Sequence, residues 1–147
     1  MTHLETIRNW IMTYPEIDKI LGLGVDYYSE KKQQSSLAPA GLQEIFRKED
    51  ILGNVTVENQ YNFSIIFAFS KSPDDDAGAT ENAEFVLGFQ QWVQDQSIRR
   101  LVPTFGDDPK SETVKAQNGE LTFDDLDGTG YYTVLLSINF KKIYKEN

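Results

Sequence analysis

Between Tyr61 and Ser70 large apolar residues recur at every second position: Tyr61, Phe63, Ile65, Phe67 and Phe69 alternate with Asn62, Ser64, Ile66, Ala68 and Ser70. A period of two sends successive side chains to opposite faces of a strand, so this segment is predicted to be a β-strand with one aromatic, buried face. The same period returns at Tyr132, Val134, Leu136, Ile138 and Phe140. Two such strands require a sheet whose apolar side is covered, which removes all-helical folds from consideration. The buried faces are expected to be the odd-numbered residues from Tyr61 to Phe69 and the even-numbered ones from Tyr132 to Phe140.

Helical spacing supplies the cover. Thr2 with Glu5 has the form of a capping box, and Leu4, Ile7, Ile11 and Tyr14 follow on one helical face, predicting a helix from Thr2 to Tyr14 that Pro15 ends. A second helix is expected from Thr80 to Ile98, capped by Thr80, with Glu81 and Glu84 in its first turn and Phe85, Phe89, Trp92 and Val93 on one face. Arg99 and Arg100 fall near its end, where cations are favoured, and Pro103 closes the region. Leu23, Val25 and Tyr27 mark a short strand. The segment Gly41 to Asp50 fits a helix through Leu42, Ile45 and Phe46, but the Leu52-Gly53-Asn54 turn beyond it favours a strand in a hairpin. Asn118-Gly119 predicts a hairpin between Thr113–Gln117 and Glu120–Phe123. These elements describe one α+β domain over residues 1–147: a twisted, mainly antiparallel sheet of four to six strands with two helices packed on one face.

Composition removes whole classes of function. With 14 basic and 23 acidic residues and a net charge of -9, gripping nucleic-acid phosphates would work against the protein's own field. No apolar run approaches the ~20 residues of a membrane helix, and Met1-Thr2-His3-Leu4-Glu5 lacks the pattern of a signal peptide, so a cytoplasmic chain that makes no membrane contact is expected. The absence of cysteine removes thiol nucleophiles, thiolate zinc sites and iron–sulfur clusters, and the single histidine, His3, removes multi-histidine metal sites. The acidic excess is confined to residues 72–127, which hold 13 acidic and four basic residues.

The strings that suggest chemistry fail on context. Asp125-Leu126-Asp127-Gly128-Thr129 resembles the nucleophile motif of haloacid-dehalogenase-type phosphatases, but that motif ends the first strand of a parallel α/β domain, and here only one strand follows. The same residues resemble the start of an EF-hand loop, whose twelfth position would be Leu136 in place of the bidentate carboxylate. A plain acidic turn is the reading adopted. Gly22-Leu23-Gly24 lacks the third glycine of a dinucleotide fingerprint, and there is no Walker lysine motif. Asp74, Asp75, Asp76, Asp107 and Asp108 lie in polar segments, where solvated charge is expected rather than paired-carboxylate catalysis. His3 reads as a surface histidine at a fraying helix start, and the aromatic stripe of Tyr61 to Phe69 reads as core, since no basic residues interleave it. The chain is therefore expected to be no enzyme and to carry no cofactor or metal.

The order of segments is informative where the motifs are not. Ile7-Arg8-Asn9-Trp10 precedes Gly24-Val25-Asp26-Tyr27, Lys48-Glu49-Asp50-Ile51-Leu52-Gly53-Asn54 leads into Tyr61-Asn62-Phe63, and Glu81-Asn82-Ala83 opens the helix bearing Phe89-Gln90-Gln91-Trp92. Ile98 through Phe105, Ala116-Gln117-Asn118-Gly119 and the closing strand complete the pattern. Over nearly its whole length the chain resembles the small tail terminator, or minor capsid, proteins of phages and prophages of Gram-positive bacteria. That resemblance implies a structural protein that caps the tail tube as a ring, commonly a hexamer, and meets the tail tube protein and the head connector protein, in the host cytoplasm and then in the virion tail. Some family members carry a chloramphenicol-resistance label; the HxxxD pattern of the acetyltransferases is absent, since Ile7 stands four residues after His3. On the tail reading Asp74, Asp75, Asp76, Asp107, Asp108, Arg99 and Arg100 become interface candidates, and the loop Ser70 to Ala79 is expected to be mobile in the free subunit. The alternative is a small acidic partner-binding protein, of chaperone or immunity type, that neutralises a basic target.

Overall fold

The computed structural model describes residues 2–20, 22–25, 35–70, 76–124 and 129–146. Helix α1 spans His3–Ile11, and helix α2 spans Asp76–Ile98. Five strands form one sheet: β1 Leu23–Val25, β2 Ser35–Glu49, β3 Val55–Ser70, β4 Thr113–Asp124 and β5 Thr129–Tyr144, in the order β1-β2-β3-β5-β4. β1 lies parallel to β2 and every other pairing is antiparallel, so the fold is the mixed, mainly antiparallel α+β sheet that the periodicities require.

The two alternating strands are neighbours. β3 and β5 pair without a break from Val55↔Tyr144 to Ser70↔Thr129, which places Phe63 opposite Leu136 and Ile65 opposite Val134. Phe63, Ile65, Phe67 and Phe69 are buried, as are Val134, Leu136, Ile138 and Phe140, while Tyr61 and Tyr132 at the ends of the two sets are half-buried. Ile7, Trp10 and Ile11 of α1 and Phe85, Val86, Phe89 and Val93 of α2 join these side chains in one core cluster. Phe67 meets Phe85 and Phe89 edge-to-face at 5.1 Å, and Trp10 stacks on Trp92 at 5.0 Å, linking the two helices through aromatic contacts. The other side of the sheet is polar, with Gln60 Nε2 donating to Asn139 Oδ1 at 2.9 Å and Ser137 Oγ donating to Asn62 Oδ1 at 2.8 Å.

Several boundaries depart from the sequence reading. Thr2 caps α1 by accepting the Glu5 amide at 3.1 Å, but the helix stops at Ile11 and closes in tighter turns through Thr13 N–H to Trp10 O and Tyr14 N–H to Ile11 O. The first strand is described as far as Val25, and Tyr27 lies outside the described residues. Helix α2 begins at Asp76, so Thr80 lies inside it and does not cap it; the first turn is instead made of Asp76 to Ala79, residues assigned from composition to a loop. Trp92, expected in the core, is half-buried at its edge. The segment Gly41 to Asp50 is strand as far as Glu49, as the hairpin turn favours, but β2 and β3 run well beyond the alternating region, with β5 paired to β3 as far as Val55↔Tyr144.

Asn118-Gly119 is not a hairpin. Both residues have the positive φ that a type I′ turn would use, 77° and 59°, but β4 runs through them and pairs with β5 on both sides, with a register shift between Asn118 and Glu120. The torsions are those the dipeptide prefers; a continuous partner strand turns them into a bulge.

Candidate functional site

Among the described residues no single cleft collects chemistry-bearing side chains, no group of three or more His, Asp or Glu is arranged to hold a metal ion, and no helix is long and apolar enough to cross a membrane. The expected interface residues are dispersed. Asp74 and Asp75, with residues 71–73 of the expected mobile loop and the Asp125-Leu126-Asp127-Gly128 string, lie outside the described residues, and Asp76 is the first residue of α2. Arg99 pairs with Asp95 at 2.9 Å on the surface of α2. Arg100 takes a left-handed φ of 58° after the helix, and the Leu101 amide reaches back to Gln96 O at 2.9 Å, the hydrogen-bond pattern of a helix stop.

Asp107 is exposed, but it has a structural task that solvated charge does not describe: its Oδ2 accepts the Ile143 amide at 2.8 Å while its own amide donates to Lys141 O at 2.7 Å. Gly106 makes this docking possible, since a Cβ there would lie 2.3 Å from Lys141 O. Asp108 precedes a 3-10 turn at Pro109–Ser111, and its carbonyl accepts the Ser111 hydroxyl at 2.9 Å. The sequence reading missed Glu112, which is buried and accepts the amides of Phe105 at 2.8 Å and Gly106 at 3.2 Å, so that one carboxylate closes the loop between residues 105 and 112 on itself. It also missed the contacts of His3, whose Nδ1 lies 2.8 Å from Tyr61 Oη and whose ring meets Phe105 at 4.8 Å. The pairings of Glu112 and His3 depend on tertiary contact, and no local pattern announces them.

Large apolar side chains are also exposed along the β2 edge. β1 pairs with β2 only at Ser35, Ser36 and Leu37, leaving the outer side of β2 from Pro39 to Glu49 without a neighbouring strand among the described residues. Pro39, which has no amide to donate, sits where that free edge starts. Beyond it Leu42 and Phe46 are 58% exposed, and Ile51 and Leu52 at the turn are exposed as well.

The turn that carries Ile51 and Leu52 is rigidly built. The Asp50 carboxylate accepts the Asn54 amide at 3.0 Å, the Asn54 side-chain amide at 3.1 Å and the Leu52 amide at 2.9 Å, while Gly53 takes a φ of 87°. The bonds from Asn54, with lesser ones from Leu52 and Gly53, hold the Asp50 carboxyl below the ordinary carboxylate value. Asn54 Oδ1 in turn accepts the Glu146 amide at 2.9 Å, tying the end of β5 to the same turn. Two bare aliphatic side chains are thus presented on a locked tip.

The opposite edge of the sheet is finished differently. α2 runs beside β4; Ser97 Oγ accepts the Val114 amide at 3.0 Å and Gln90 Nε2 donates to Ala116 O at 3.1 Å. Between helix and strand lies an open groove of about 600 Å³, lined by Leu87, Gln91, Gln94, Ile98, Val114 and Ala116 among others. Comparison with known proteins finds no family model that matches the chain and no match among curated proteins.

Proposed function

We propose that this protein is a structural subunit that assembles with copies of itself into a ring, commonly a hexamer in the family it resembles, and caps the tail tube of a phage or prophage. Its partners on this reading are the tail tube protein and the head connector protein, and it acts in the host cytoplasm and then in the virion tail. Neither catalysis nor a bound cofactor enters the proposal. The observation that carries it is the locked hairpin tip that holds Ile51 and Leu52 in solvent, since exposed large apolar side chains on a rigid support are characteristic of protein-protein contact. The resemblance in segment order supplies the kind of assembly. The acidic stretch of residues 72–127 is consistent with a channel that repels DNA phosphates.

The test is mass in solution followed by tube capping. The full chain is expected to form a closed oligomer by light scattering and annular particles by electron microscopy, and to stop elongation when added to polymerising tail tubes. A chain that stays monomeric and leaves tube length unchanged overturns the reading. The acidic stretch also favours the second reading, a small protein that neutralises a basic partner, and a monomer that forms a stoichiometric complex with a basic protein would establish it.

A further inference from the structure

Asn118 and Gly119 carry a reactivity that the fold leaves accessible. Of the asparagines with a residue after them, only Asn118 precedes a glycine; the others precede Trp10, Val55, Gln60, Phe63, Ala83 or Phe140. The side-chain amide of an asparagine can be attacked by the backbone nitrogen of the next residue, and a glycine there has no side chain to obstruct the approach.

The placement of the pair favours that attack. Asn118 is exposed on β4, the outermost strand of the sheet, which pairs only with β5. Its side chain makes no hydrogen bond to another described residue, whereas those of Asn54, Asn62 and Asn139 are held by Asp50, Ser137 and Gln60. The β5 ladder passes over Gly119: Asn118 lies opposite Val134 and Glu120 opposite Thr133, so Gly119 has no counterpart. On the outer side the neighbour of Gly119 is the Gln90 side chain and not another strand. Rotation of the peptide between Asn118 and Gly119 therefore disturbs one ladder at a point where it is already interrupted.

We propose that Asn118 is a site of spontaneous deamidation and isomerisation in the folded protein. The Gly119 nitrogen, giving up its proton to hydroxide, attacks Asn118 Cγ. The Cγ–Nδ2 bond breaks, the leaving nitrogen takes a proton from water and departs as ammonia, and a five-membered succinimide remains. Water then opens the ring, at Cγ to give aspartate or at the main-chain carbonyl to give isoaspartate. Isoaspartate adds one carbon to the main chain of β4 and a carboxylate to its surface. β4 already carries one residue more than β5 at this bulge, so the added atom enlarges an existing irregularity. Gln90 is the neighbour displaced: a Cβ on Gly119 would clash with Gln90 Oε1, and Gln90 Nε2 ties α2 to Ala116 O at 3.1 Å. Conversion thus loosens the helix-covered edge of the sheet without unfolding the domain. The inference is independent of the ring proposal.

The test incubates the full chain beside a synthetic peptide spanning Thr113–Asp124, in mildly alkaline buffer well below the melting temperature. Peptide mapping is expected to place an NH-to-O mass gain at Asn118 before any other asparagine, with more isoaspartate than aspartate and a rate that rises with pH. The folded chain is expected to convert within about tenfold of the peptide's rate, because an exposed strand edge opens locally at little cost. The variant Asn118→Gly, which tolerates the positive φ and has no amide to lose, is expected to show no gain in that segment. Slower conversion of the folded chain, earlier conversion at another asparagine, aspartate as the sole product, or a gain in the Asn118→Gly segment each overturns the proposal. The purified isoaspartate form is expected to stay folded and to melt below the parent; one that melts with the parent overturns the link to Gln90 and α2.

Discussion

The two edges of the sheet solve the same problem in opposite ways. A sheet edge carries unpaired amides and carbonyls that invite another strand, and proteins usually cover or disrupt it. At β4 the cover is complete in kind: α2 lies alongside, Ser97 takes the Val114 amide, Gln90 reaches the Ala116 carbonyl, and the Asn118–Gly119 bulge breaks the line of the strand beside Gln90. At β2 the only outer neighbour among the described residues is the three-residue β1; from Pro39 onward the edge is interrupted instead by the proline, two register shifts and the charged Glu44, Arg47, Lys48 and Glu49, with Leu42, Ile45 and Phe46 exposed among them. The α2 edge is bound into the core through Phe85, Phe89 and Val93, whereas the β2 arm extends beyond the core. One edge is thus covered by a 23-residue helix, while the other has no covering element beyond β1 among the described residues.

The strongest way to break this contrast is to detach the helix from the sheet. Phe89 is fully buried and meets Phe67, Tyr14 and Trp92, so Phe89→Ala is expected to cost about 3 to 5 kcal/mol and to lower the melting temperature sharply. A variant melting with the parent would mean that α2 does not hold the edge as described.

Ser97→Ala is a finer probe of the same edge. Removing the hydroxyl leaves the Val114 amide without the acceptor it has now, which is expected to cost about 1 kcal/mol and to speed hydrogen exchange at that amide more than at its neighbours. Unchanged exchange at Val114 would show that the helix merely lies near the strand.

The open edge is sharpened by pH. The Asp50 carboxylate is held below its ordinary value by the Asn54 and turn amides, so its contribution is present at neutral pH and is lost as the pH falls below about 4, through the lowered native value. Asp50→Asn is therefore expected to melt below the parent at pH 7, with the gap shrinking in acid. A gap that does not change with pH would assign the effect to shape and not to charge.

The smallest effect expected is at Phe46. Phe46→Ser, in the middle of the open edge, is predicted to change monomer stability by less than about 0.5 kcal/mol, although a phenylalanine is removed, because the side chain is already 58% exposed. If self-association weakens while the monomer melt is unchanged, the edge serves contact; a loss of several kcal/mol in the monomer would show that the arm packs onto its own domain.

Local pattern alone gave the two alternating strands and their buried faces, the Thr2 cap, the approximate positions of both helices and the mainly antiparallel α+β class. Each of these follows from a period or a cap that the residues carry wherever they sit. The exact opening of α2 at Asp76 was not legible, because Asp, Ala and Gly in sequence read equally well as a loop and as a first turn. The fate of Asn118–Gly119 was decided by tertiary structure: the dipeptide sets positive φ values, but only an unbroken β5 alongside determines that they make a bulge. The candidate contact surfaces belong to the same category. Ile51 and Leu52 look in sequence like ordinary apolar residues beside a turn, and Leu87 and Ile98 like members of a helix. Exposure is a property of what the rest of the chain leaves uncovered, and strand order, with α2 along one edge and only the short β1 described on the other, decides it.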